Sequence, residues 1–211
     1  MFGTRLVVGV FLLCSARPIL ALDPDQPSTS SITRPWTAKD GLQGTVTSFA
    51  QTSDGFLWIG TTEGLFRFDG VKFEAYKPEA GSFPATAVLT LCAAREGLWI
   101  GYVAGGVSLL KNGRLRNYSS SDGLPISNIS GIIEDGEGTI WVSAVGGLAR
   151  LEGDRWHIVR MDWNYPSRAA EILTGDTRGT LWAATRHRIM FLPKGSRKFQ
   201  DTGARPRSSP T

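Results

Sequence analysis

The sequence is sparing with residues that do chemistry. Histidine occurs twice, at His157 and His187, and cysteine twice, at Cys14 and Cys92. Asp135-Gly136-Glu137-Gly138 faintly suggests a calcium loop, but it lacks the alternating Asp/Asn ligands and the distal Glu that fill a calcium shell. There is no P-loop, no dinucleotide fingerprint, no His-Glu-x-x-His, no Cys-x-x-Cys and no Gly-x-Ser-x-Gly. No catalytic centre, metal site or cofactor is therefore expected. What remains is binding chemistry. Tyr102, Trp163 and Tyr165 lie off the repeated positions described below, near segments that would connect one repeat to the next. Aromatic rings placed there can stack on sugar rings. These three are the candidate ligand-binding residues, with ordinary packing as the competing reading.

The elements that would position them come from an internal repeat. Leu57-Trp58-Ile59-Gly60 recurs as Leu98-Trp99-Ile100-Gly101, Ile140-Trp141-Val142-Ser143 and Leu181-Trp182-Ala183-Ala184, so the tryptophans are 41, 42 and 41 residues apart. A period near 40–45 residues with four short strands per unit is the signature of propeller blades. Ahead of each Trp stands a turn containing Gly: Asp54-Gly55, Glu96-Gly97, Glu137-Gly138 and Arg178-Gly179. Upstream of the turn runs an apolar strand with aligned positions Val46, Val88, Ile129 and Ala170, then Phe49, Leu91, Ile132 and Leu173. A spacing of three breaks strict alternation, and a bulge would account for it. After the Trp strand come a third strand (Gly64–Phe68, Gly106–Leu110, Gly147–Leu151, Arg188–Leu192) and a more polar fourth through Phe73, Leu115, Trp156 and Phe199. The expected fold is all-β: four antiparallel four-stranded propeller blades of about 41 residues. A single blade cannot bury both faces, so successive blades must pack on one another.

Residues 1–21 read as a signal peptide. Arg5 precedes the apolar run Leu6–Leu13, and small residues allow cleavage after Ala16 or Ala21. Residues 22–34 form a polar linker, residues 35–203 the repeats, and residues 204–211 a disordered tail. Removal of the leader would leave Cys92 alone, without an intrachain disulfide partner. The net charge is +4. Two of the basic residues lie in the leader and several more in the tail, so no Lys/Arg stripe marks a nucleic-acid partner.

At these positions the sequence resembles the two-component regulator propeller repeat. That pattern runs Asp-Gly-Leu-Pro, an apolar strand, Asp-x-x-Gly-x-Leu-Trp-Ile-Gly-Thr, then Gly-Leu, Asp-Gly and Phe. The first copy has Asp40-Gly41-Leu42, Ser53 through Thr61, Gly64-Leu65, Asp69-Gly70 and Phe73. The third has Asp122-Gly123-Leu124-Pro125, Asp135 through Trp141 and Gly147-Leu148, while the second and fourth lack Asp-Gly-Leu and keep the Trp core. The resemblance implies an extracytoplasmic, periplasmic sensor region, whose full-length relatives are anchored in the inner membrane and signal through a histidine kinase phosphorelay. It also implies an oligosaccharide or other small extracellular ligand. The sequence ends after four copies without a kinase motif, and the segment around Trp36 reads as an outermost strand lacking its blade. The expectation is an incomplete propeller arc, a fragment whose partners are further blades or a second copy of itself. A closed four-bladed ring, a stand-alone periplasmic glycan-binding scaffold and a streptogramin-lyase-like enzyme are the alternatives.

Overall fold

Tight glycine turns alternating with short apolar runs leave the chain one economical way to pair its strands, each with the next in sequence. The computed structural model, which describes residues 36–205 apart from Thr37, Ser167 and Arg168, has this arrangement. The expected signal peptide and linker, and the last six residues of the expected tail, lie outside the described residues. The first sheet holds β1 (Val46–Gln51), β2 (Leu57–Thr61), β3 (Gly64–Phe68) and β4 (Phe73–Ala75). The second holds β5 (Val88–Ala94), β6 (Gly97–Tyr102), β7 (Val107–Lys111) and β8 (Arg114–Tyr118). The third holds β9 (Ile129–Glu134), β10 (Ile140–Ala144), β11 (Gly147–Glu152) and β12 (Arg155–Val159). The fourth holds β13 (Ile172–Gly175), β14 (Leu181–Ala184), β15 (Ile189–Leu192) and β16 (Gln200–Asp201). Within the sheets every strand pairing is antiparallel and between sequence neighbours. The sheets are four propeller blades, with β1, β5, β9 and β13 innermost.

The irregular spacing in the inner strands is a bulge. Between Val46 and Ser48 the register against β2 slips by one residue, and the same slip recurs between Val88 and Thr90. In the third sheet it falls opposite Ser143 and Ala144. The extra residue turns Val46, Val88 and Ile129 out of simple alternation and lets the strand bend.

The two faces of each blade have different jobs. Trp58 packs with Val88, Leu98 and Ile100 of the second blade. Trp99 packs with Ile129, Val142 and Ala149 of the third, and Trp141 with Leu181, Ala183 and Met190 of the fourth. Each indole thus faces the following blade, and the aliphatic residues on either side of it face the preceding one. Trp58, Trp99 and Trp141 are 6%, 0% and 1% exposed, whereas Trp182 is only half-buried. Burying about 200 Å² of indole at roughly 25 cal/mol per Å² gives about 5 kcal/mol gross per junction. The inner strands pack in series, β1 on β5, β5 on β9 and β9 on β13, and no comparable packing joins β13 back to β1. The described blades form an open arc.

The blade connections share one geometry, including those whose sequence hides it. Gly41, Gly81, Gly123 and Asn164 have φ of 95°, 88°, 98° and 55°. Each turns the chain against the outermost strand of the next blade. A Cβ on Gly81 would lie 2.8 Å from the Leu115 carbonyl oxygen, and Cβ atoms on Gly41 and Gly123 would collide with the carbonyls of Phe73 and Trp156. Asn164 is a residue that tolerates the left-handed region, and its Nδ2 donates to the Phe199 carbonyl at 2.8 Å. The second and fourth copies therefore keep the left-handed residue although they lack Asp-Gly-Leu.

Candidate functional site

The β1–β2, β5–β6 and β7–β8 turns and the segment after β4 meet at the junction of the first two blades. They enclose a groove of about 400 Å³ lined by Trp58, Arg67, Tyr76, Glu79, Lys111 and Asn112, among others. Its position follows from strand register. Arg67 pairs with Trp58 across β2–β3, which puts both side chains on the face toward the second blade. Tyr76 follows β4 and donates its N–H to the Leu65 carbonyl at 2.9 Å. The backbone then runs beside β8 through a parallel bridge between Ala80 and Arg114, and Glu79 donates its N–H to the Gly113 carbonyl at 2.8 Å.

The rings of Trp58 and Tyr76 meet edge-on, 4.8 Å apart at 76°. The Arg67 guanidinium lies 4.4 Å from the Phe56 ring centroid and 5.8 Å from that of Tyr76. Among the described residues no carboxylate lies within ion-pair distance of Arg67. Aromatic faces hold the cation in place by cation–π attraction and leave its N–H donors available. Burial pushes the Tyr76 hydroxyl above its ordinary pKa, with Glu79 adding to the effect, so it stays a neutral donor and acceptor. An aromatic wall, a forked cation and an exposed carboxylate in one groove can hydrogen-bond and stack on a polar ring.

A second groove of about 290 Å³ occupies the corresponding place between the third and fourth blades, lined by Asp135, Asp176, Arg178 and Lys194 among others. Its two aspartates are committed to their own turns. Asp135 accepts from the backbone N–H groups of Glu137 and Thr139, both at 2.9 Å, and from Trp141 Nε1 at 2.7 Å. Asp176 accepts from the N–H groups of Arg178 and Thr180 at 2.9 Å and from Trp182 Nε1 at 3.2 Å. The faint calcium pattern at Asp135 is thus an Asx turn that anchors an indole. Thr52 does the same for Trp58, its Oγ1 accepting from Nε1 at 2.8 Å. In the second blade the turn is a residue shorter and Ala94 holds the equivalent place, so Trp99 Nε1 is buried without a partner.

The residues singled out from the sequence lie apart. Tyr102 is fully buried, and its hydroxyl donates to Ser108 Oγ at 2.8 Å. Ser108 Oγ continues to Asn117 Oδ1 at 2.6 Å, and burial pushes the Tyr102 pKa up to about 12. Tyr165 is also fully buried, donating to the Ala169 carbonyl at 2.9 Å, and burial raises its pKa as well. Trp163 is half-buried. It meets Trp141 edge-on at 5.6 Å, with the guanidinium carbons of Arg150 and Arg197 at 4.6 and 5.8 Å from its ring. Tyr102 belongs to the second blade, and Trp163 and Tyr165 to the connection between the third and fourth. The sequence reading missed Arg67 and Tyr76 because they occupy repeat positions, where framework residues are expected. The available signal was a charged residue on an otherwise apolar blade face.

Cys92 is partly buried between the second and third blades, and desolvation raises its thiol pKa. His157 stands on β12 with its Nε2 3.5 Å from Glu152, and His187 is exposed in the β14–β15 turn. Among the described residues no three His, Cys, Asp or Glu side chains come together as a metal site would require.

Two segments, residues 40–63 and 123–146, match the two component regulator propeller model, each spanning a left-handed connection or its exit, an inner strand and the Trp strand. Both segments, in the first and third blades, are similar to that repeat. Their arrangement is similar to solved propellers. The extracellular domain of the putative one component system BT4673 from B. thetaiotaomicron aligns with a TM-score of 0.62 at 21% identity, over 76% of this chain and 24% of that one. A second structure, described as the extracellular domain of the putative hybrid two component system BT4673, gives 0.51 at 21% identity over 75% and 27%. Virginiamycin B lyase from Staphylococcus aureus gives 0.56 at 19% identity over 74% and 54%. At such identities these likenesses establish the propeller fold, and the chain spans about a quarter of the length of the first. No curated protein matches the sequence.

Proposed function

We propose that the chain is an extracytoplasmic ligand-sensing module of a two-component type of signalling system, exported by its N-terminal leader. The observation that carries this reading is the pair of regulator propeller repeats at residues 40–63 and 123–146, on blades that stack in the expected order. The groove beside Arg67 and Tyr76 is the receptor site in this reading. Its aromatic wall, unpaired guanidinium and exposed Glu79 suit a polar ring, and an oligosaccharide is the ligand class that combines stacking faces with hydroxyl donors and acceptors. Occupancy would bridge the first and second blades.

The test is calorimetric titration of the purified chain with a panel of neutral and acidic oligosaccharides, with tryptophan fluorescence read in parallel. Binding by one class is expected, weakened about tenfold or more in Arg67→Ala and Tyr76→Ala. Undiminished binding in both variants would remove the groove from the reading. Silence across the whole panel would count against a glycan ligand.

A further inference from the structure

The register that puts Arg67 beside Trp58 recurs in the third blade. Across β10–β11, Arg150 pairs with Trp141, whereas the second and fourth blades have Leu109 and Phe191 at that place. The surroundings recur as well. Trp163 meets Trp141 edge-on at 5.6 Å and 82°, as Tyr76 meets Trp58. The Arg150 guanidinium lies 4.6 Å from the Trp163 centroid, as that of Arg67 lies 5.8 Å from the Tyr76 centroid. Each cation rests on a ring from the segment after its blade's last strand.

The two sites differ in how the charge is answered. Arg150 has a carboxylate of its own blade. Glu152, two residues on, accepts from Arg150 Nη1 at 2.8 Å, and the Arg150 side chain is 15% exposed. Two residues after Arg67 stands Asp69, one methylene shorter. Its Oδ1 accepts instead from the N–H groups of Val71 and Lys72, at 2.8 and 3.0 Å, which commits it to the β3–β4 turn. Opposite Arg67 across β3–β4 is Glu74, whose carboxylate pairs with the Lys72 ammonium. Both acids that the local sequence offers Arg67 are therefore engaged by the turn. Asp54, also in the groove, accepts from the Thr52 hydroxyl and the Phe56 N–H. The Glu79 carboxyl lies over Gly113, where a Cβ would come within 2.6 Å of its Cδ.

We propose that the groove grips its ligand by a carboxylate: Arg67 receives the carboxylate of a uronic acid residue in the place that Glu152 fills beside Arg150. This rests on the receptor-site reading above and narrows its ligand class to acidic oligosaccharides. The planar fork of a guanidinium matches a carboxylate with two parallel N–H···O bonds, each charge-assisted, which a hydroxyl or an ester does not offer. Lys111 adds a second cation to the groove, and Glu79 and Glu96 line it as acceptors for the hydroxyls of the same sugar.

Trigalacturonate and its fully methyl-esterified form are the probes, because they differ in the charge of the carboxyl group and share the rest of the ring chemistry. In calorimetric titration of the full 211-residue chain the acid should bind about tenfold or more tighter than the ester. Arg67→Gln should bring the two to within about twofold of each other, and Arg67→Lys, which keeps the charge and loses the fork, should retain part of the preference. Far-UV circular dichroism checks that both variants are folded. In proton–nitrogen correlation spectra the Arg67 Nε–H signal, assigned by its loss in Arg67→Gln, should shift with the acid and much less with the ester. The Arg150 signal, already paired to Glu152, should move with neither. Equal affinity for acid and ester, with Arg67 shifting in both, would overturn the carboxylate and leave the receptor site standing. A preference for the acid that survives undiminished in Arg67→Gln would also overturn it. Binding of neither probe overturns the proposal, and the receptor site then stands or falls on the neutral oligosaccharides of the wider panel.

Discussion

The Trp36 indole meets the Phe73 ring edge-on, 5.3 Å apart at 88°, and Tyr118 meets Trp156 in the same way, 6.0 Å apart at 89°. Trp36 and Tyr118 each lie five residues upstream of a left-handed glycine, Gly41 in one case and Gly123 in the other. Trp36 therefore stands to the first blade as the last residue of β8 stands to the third. Residues 38–42 are a blade connection in their own right. Trp36 also touches Phe68, 4.9 Å away.

Replacing Trp36 by Ala should cost about 2 kcal/mol in urea unfolding, less than a core tryptophan because part of the ring is already in water. Trp36→Phe should restore about half of that, since an edge-on contact with Phe73 survives.

The position of an indole along the arc should set its worth. Trp141→Ala should cost about 3–5 kcal/mol, the range for a fully buried aromatic. Trp182→Ala should cost less than half as much when both are measured at concentrations that keep the chain monomeric. Equal losses would mean that the fourth blade's outer face is covered in the isolated chain.

Glycines in similar conformations should differ in their tolerance of a side chain. Gly55 has φ 89° and open space where a Cβ would go, so Gly55→Ala should cost about 1 kcal/mol. Gly123 has φ 98° and the Trp156 carbonyl in the way, so Gly123→Ala adds a collision to the same strain. Thermal melts should rank Gly123→Ala well below Gly55→Ala.

The Asx turn that anchors an indole can be tested against the blade that lacks it. Asp135→Ala removes the acceptor for Trp141 Nε1 and for two backbone N–H groups, and should cost about 2 kcal/mol. Asp135→Asn keeps the acceptor oxygen and should cost about half as much.

Acid should weaken the fold in a defined window. Asp69, Asp122, Asp176 and Asp201 all have pKa values held below the ordinary 3.8, chiefly by backbone N–H groups of Lys72, Ser119, Thr180 and Gly203 that favour the carboxylate. A depressed folded-state pKa contributes stability that is complete above about pH 5 and lost as pH falls through the folded values. The melting temperature should be flat on this account from neutral pH to about pH 5 and should drop below about pH 4. Replacing Asp176 by Asn should blunt that drop.

The recurrence of Leu-Trp-Ile-Gly and its variants every 41 or 42 residues determined the number of blades, the order of strands and the location of the cores. Repeated local sequence carries this because each blade is a meander of hairpins, set by turns and alternation within a few residues. The broken alternation in the inner strands was visible in the sequence, but only the strand register decided that a bulge causes it. Contacts between segments were not legible. The left-handed conformation of Gly81 and Asn164 is imposed by the next blade's outer strand, and neither residue lies in an Asp-Gly-Leu. Tyr102 and Tyr165 looked free of the repeat, yet both rings are enclosed by neighbours distant in sequence. Arg67 and Tyr76 acquired a common groove only when β3 and β4 paired and the second blade closed over them. Which face of a strand meets a neighbouring blade, and which is left over at the ends of the arc, depends on how whole sheets stack, and that is a property of the tertiary structure alone.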